Sequence, residues 1–155
     1  MHHTYKLYEQ DLYAWTKQQI DLLKMHRFNE LDVTSLIEEL DDVSGSTRRE
    51  LVNRLGILLA HLLKWHYQPQ QRSASWRGTI KEQRRKLHRL VQENPSIKPL
   101  IAEKIQDAYG DALTLVEKDT GLDETNFPQL CPFTSLETLN NEYWPNGTDT
   151  ETYYK

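Results

Sequence analysis

The chain has 155 residues, of which 37% are hydrophobic and 27% charged, with a net charge of −4 and one cysteine. That length suffices for one self-supporting core, and a single cysteine excludes an intramolecular disulfide framework. No apolar run reaches the roughly 18 residues of a membrane span, and no basic-then-apolar leader opens the chain, so a cytoplasmic protein is expected.

Between Tyr8 and Lys24, the apolar residues Leu12, Trp15, Ile20 and Leu23 approximate one face of a first helix. After the connector Phe28-Asn-Glu-Leu31, Asp32 is a good N-cap for a second helix carrying Leu36, Ile37, Leu40 and Val43. Gly45-Ser46 is a candidate stop, with Thr47-x-x-Glu50 boxing the start of the next helix. The apolar stripe nevertheless passes through positions 40, 43, 47 and 51 in phase, so one long helix is the alternative.

The third segment places Leu51, Leu55, Leu58, Leu62 and Trp65 at steps of four and three. Its centre, Leu55-Gly-Ile-Leu-Leu-Ala-His-Leu-Leu-Lys-Trp65, is apolar on nearly every side, as in a helix enclosed by others. Pro69 stops it. A fourth helix is expected from about Ser75 to Glu93, with Trp76, Ile80, Leu87, Leu90 and Val91 on its apolar arc. Asn94-Pro-Ser96 breaks the pattern, with Ser96 as the next cap. The fifth helix carries Leu100, Ile101, Ile105, Ala108, Ala112, Leu115 and Val116 and closes at Gly121.

Beyond Gly121, Phe127-Pro128, Cys131-Pro132 and Trp144-Pro145 are extended prolyl segments, with a short helix from Ser135 to Asn140. Such an arm is expected to wrap the helices and tuck its aromatics into their grooves. The predicted architecture is a single-domain, all-α bundle of about five helices over residues 1–145, with the irregular C-terminal arm packed over it. A small polar tail over 146–155 is expected to be mobile.

Several segments together resemble the bacterial, largely cyanobacterial domain-of-unknown-function family 29. They are Tyr8-Glu-Gln-Asp-Leu-Tyr-Ala-Trp15, Leu31-Asp-Val-Thr-Ser-Leu-Ile-Glu-Glu-Leu40 and Leu58-Leu-Ala-His-Leu-Leu-Lys-Trp65. Tyr67-Gln-Pro69, Arg72-Ser-Ala-Ser-Trp76, Thr120-Gly-Leu122 and Cys131-Pro-Phe133 follow in the same order. The resemblance implies an all-helical cytoplasmic bacterial protein and brings no catalytic residues with it.

Two polar features are candidates for function. At about 100° per residue, Glu50, Arg54 and His61 fall within about 40° of one another, a polar line on the apolar third helix. Arg54 and His61 resemble the Arg-x(4–6)-His signature of the helical ribonuclease superfamily HEPN. On that pattern Arg54 would stabilise phosphoryl charge and His61 would transfer protons, without metal. Six residues separate the two, the longest spacing the signature allows, and Leu55 stands where a polar residue is usual. The structural alternative is a polar network built from Glu50, Arg54 and acids of the second helix, Glu38 and Glu39.

Charge asymmetry supplies the other feature. From Arg72 to Arg89 there are seven Lys or Arg against one acid, Glu82, a local balance of +6, so the rest of the chain carries −10. Arg77, Lys81, Arg84, Arg85 and His88 form one arc, which can read a nucleic-acid backbone without base specificity or can neutralise the acidic second helix. Glu38, Glu39, Asp41 and Asp42 lack the Glu-x-x-His spacing of di-metal helical sites, so no metal or other cofactor is expected. Gly-rich phosphate loops and nucleophile elbows are absent from the sequence, and Cys131 beside a proline reads as a packing residue.

The sequence therefore points to a small non-catalytic interaction module with an unknown protein partner and a possible homodimeric state, and to no membrane association. The ribonuclease and the nucleic-acid binder remain as alternatives.

Overall fold

The computed structural model describes residues 6–146, and every regular element among them is helical. The α-helices are α1 (Leu7–Gln10), α2 (Leu12–Lys24), α3 (Val33–Tyr67), α4 (Ala74–Glu93), α5 (Lys98–Thr120) and α6 (Ser135–Leu139). The all-α class read from the apolar periodicity is the observed one. Apart from Asn146, the tail expected over 146–155 lies outside the described residues. The backbone groups into two compact units, Met1–Ser46 and Thr47–Lys155.

In the first unit the single expected helix is broken at Asp11, whose carboxylate accepts from the Ala14 amide at 3.0 Å and so caps α2. Asp32 caps α3 as its position suggested, accepting from the Ser35 amide at 3.3 Å. The same residue draws in α2. Its carboxylate accepts from the Trp15 indole at 3.1 Å, and its amide donates to the Gln19 side-chain oxygen at 2.8 Å. Burial opposes ionisation of Asp32, but the hydrogen bonds from Ser35 and Trp15 outweigh it and hold the carboxyl below its ordinary value. With Tyr8 of α1 donating to Glu39 at 2.7 Å, these bonds lay α1 and α2 antiparallel against the first turns of α3.

No break follows Gly45-Ser46: α3 is one helix from Val33 to Tyr67. A glycine inside a helix costs only about 1 kcal/mol, less than leaving two helix ends uncapped. The continuous reading of the stripe was the right one.

In the second unit the α3 segment beyond Thr47 is the spine. Leu51, Leu55, Leu58, Leu59, Leu62, Leu63 and Trp65 have no exposed surface. Around them pack Ile80 and Leu87 of α4, Ala108, Tyr109 and Ala112 of α5, and Phe127, Phe133 and Trp144 of the arm. Gly56 faces α5, where an added Cβ would sit 3.4 Å from the Asp111 Cβ. α4 begins at Ala74, one residue before the expected start, and Ser73 caps it through the Trp76 amide, 3.2 Å away. A 3-10 turn at Pro95–Ile97 runs directly into α5, so Ser96 does not cap it. Gly121 ends α5 in the left-handed conformation, φ 79°.

The arm packs as expected. Trp144 meets Trp65 with ring centroids 4.8 Å apart, and Tyr109 donates to the Pro128 carbonyl at 2.6 Å. Arg72 clamps the junction, donating to the carbonyls of Trp65 at 2.8 Å and Pro145 at 3.2 Å. Thr134 and Glu137 form a full capping box on α6.

Candidate functional site

Arg54 lies on the spine helix with its Nε 2.9 Å from Glu50 Oε1, the i,i+4 pair that the sequence offered, and its Nη1 3.4 Å from Gln83 Oε1 of α4. His61, half-buried two turns on, donates from Nδ1 to the Ile57 carbonyl at 2.8 Å. Burial pushes its imidazole down from the ordinary value, and nearby Lys64 adds to the effect. Lys64 itself is buried and bonded to Asp119 at 2.9 Å. Arg54 and His61 thus have separate partners, Glu50 and Gln83 for one and Ile57 for the other.

The basic arc of α4 divides. Lys81, Arg85 and His88 are exposed and Arg77 is half-buried, but Arg84 retains 1% of its surface. The sequence placed Arg84 on one basic arc with the others, facing either a nucleic-acid backbone or the acidic second helix; the C-terminal arm covers it. Its Nε donates to the Thr138 carbonyl at 2.9 Å and its Nη2 to the Glu137 carbonyl at 3.2 Å. His88 bonds the arm too, Nε2 to the Leu139 carbonyl at 2.8 Å. One face of α4 therefore seats the arm as well as carrying charge.

In the first unit, Glu39 is engaged by Tyr8, and the hydrogen bond and burial, with the charges of Glu39, Glu38 and Asp42, push the phenol far up. The apolar residues behave differently from expectation. Leu12, Ile20 and Leu23 of α2 and Ile37, Leu40 and Val43 of α3 form the apolar faces that periodicity outlined, yet all six are exposed. On α2 it is Trp15, Gln19 and Leu22 that are buried. Periodicity identifies the face that avoids water; here Trp15 and its bonds to Asp32 occupy the helix–helix contact, and the apolar arcs lie to one side of it.

Val33, Ile37, Leu40 and Val43 are each more than half exposed, and Tyr13 of α2 is 74% exposed. On antiparallel helices at about 100° per residue, the arc of Leu12, Tyr13, Ile20 and Leu23 turns to the same side of the pair as the arc of Val33, Ile37, Leu40 and Val43. Exposed Lys17 and Lys24 border the α2 arc, and exposed Asp41 and Glu38 border that of α3. Among the described residues no group of three or more His, Cys, Asp or Glu could hold a metal ion, and no helix is long and apolar enough to cross a membrane.

The family model described as Domain of unknown function DUF29 matches residues 7–144. The chain belongs to that family. Comparison with curated proteins and with solved structures gave no match.

Two groups of functional interest in this DUF29 chain were not singled out from its sequence. Trp144 and Glu142 of the arm stand beside the basic face of α4, together with Arg89. The signal available was the Trp144-Pro145 pair, which marked an aromatic anchored by the arm but not the helix receiving it. Cys131 is half-buried, and burial raises its thiol above the ordinary value, in keeping with a packing role.

Proposed function

We propose that this chain is a non-catalytic interaction module whose N-terminal helix pair docks onto a second copy of itself. The observation that carries the reading is the apolar face formed by α2 and the first turns of α3. Eight large side chains there are exposed by between 37% and 74%. Together they present on the order of 700 Å². That exceeds the roughly 300–600 Å² of an ordinary monomer's largest apolar patch and approaches the ~800 Å² per partner of a stable interface.

The pattern suits a helical partner. Positions 33, 37 and 40 repeat at four and three residues, the spacing of knobs-into-holes packing. A second copy also answers the charges. When α2 lies against the partner copy's α3, the Lys17 and Lys24 border meets an Asp41 and Glu38 border, and the two-fold axis repeats the match. The result is a four-helix arrangement in which every exposed arc finds its like. The reading is non-catalytic because Arg54 is held by Glu50 and Gln83 and His61 by Ile57, each without the other.

Co-expression of two differently tagged copies tests the proposal. Capture of one tag is expected to retain the other, and Leu40→Glu in both copies to abolish retention while the circular dichroism stays helical. Failure of the unaltered copies to associate would overturn it.

A further inference from the structure

We propose that the cavity between α4 and the C-terminal arm binds the phosphate group of a small, nucleotide-sized ligand. The cavity measures about 720 Å³, within the roughly 300–1,000 Å³ of small-molecule sites. Lys81, Arg84, Arg85, His88 and Arg89 form one wall, and Glu142 and Trp144 stand on the arm side. The helical residues share a face of α4 at i, i+3, i+4, i+7 and i+8.

Arg84 decides the ligand's charge. It is buried, and both of its hydrogen-bond acceptors are neutral main-chain carbonyls. Its third nitrogen, Nη1, is buried with no hydrogen-bond partner. A buried cation ordinarily has a counter-ion, and among the described residues no carboxylate pairs with this one. Burial lowers the guanidinium to about 10, so it stays charged at neutral pH. Arg85 and Arg89, one and five residues on, are exposed. Glu142 is the one carboxylate lining the cavity, and Glu82, paired with Lys86, also feels the Arg85 charge; the remaining excess of cations suits a multiply charged anion, and guanidinium forks match phosphate oxygens two at a time. The Trp144 ring, 5.7 Å from the Arg84 guanidinium carbon, supplies a flat apolar wall for the rest of the ligand. The cavity volume matches a small phosphoester.

Titration calorimetry on the full chain with AMP and with inorganic phosphate, at constant ionic strength, tests this. The expected result is saturable one-to-one binding of AMP, with inorganic phosphate competing for the same site. The double variant Arg85→Gln, Arg89→Gln, altered only at exposed positions, is expected to fold normally and to bind AMP at least about tenfold more weakly. Arg84→Lys should weaken binding further if it folds. Absence of saturable binding up to about 10 mM, or unchanged affinity in the double variant, would overturn the proposal. So would a single-stranded oligonucleotide that binds there without being displaced by AMP, since the surface would then read a strand.

Discussion

Arg84 and Thr138, 54 positions apart, are joined by a 2.9 Å hydrogen bond from the guanidinium Nε to the main-chain carbonyl. A second bond, from Nη2 to the Glu137 carbonyl, makes this side chain, beside His88, a pin between α4 and the arm.

Replacing Arg84 with Met leaves two carbonyls without their donor where water is excluded. The expected loss of stability is about 2–4 kcal/mol, read as a lowered urea midpoint with unchanged slope. Arg84→Lys should recover little of it, because one ammonium cannot reproduce the forked geometry. A midpoint unaffected by Arg84→Met would show that the two Arg84 hydrogen bonds add nothing to the arm's attachment.

Gly78 and Gly121 separate backbone conformation from packing, since neither would bring a Cβ within 4 Å of a neighbour. Gly78 lies inside α4, so Gly78→Ala should raise stability by about 0.5–1 kcal/mol. Gly121 has φ 79°, so Gly121→Ala should lower it by about 1 kcal/mol. Thermal melts of the two variants should shift in opposite directions.

Acidification tests the buried imidazoles. Burial lowers both His61 and His66 below the ordinary 6.5, with Lys64 and Arg72 respectively adding to it. As pH falls below about 6.5, the unfolded chain takes up protons that the native state resists. Stability is therefore full above that pH and is lost as pH falls through the lowered native values. The melting temperature should drop between about pH 7 and pH 5, and His61→Gln should flatten that drop. An unchanged slope in the variant would mean that His61 titrates freely.

What the sequence reveals follows from what periodicity measures. The spine of α3 was readable because Leu55 to Trp65 is apolar on nearly every side, as in a helix enclosed by others. Asp32, Gly121 and the arm's aromatics were readable because caps and prolyl segments act locally. Arg84 was not, because its covering, Glu137 and Thr138, arrives from more than 50 residues away. The exposure of Ile37, Leu40 and Val43 was not legible for a related reason: an apolar stripe states that a face seeks cover, and is silent on whether the cover is this chain or another.

Sedimentation equilibrium of the unaltered chain beside Leu40→Glu is the most direct measure of self-association through the N-terminal helix pair. The unaltered protein should sediment at twice the mass of one chain at micromolar concentration, and the variant at the mass of one chain while keeping its helix content. A single-chain mass for the unaltered protein across that range, or a dimer indifferent to Leu40→Glu, would contradict it.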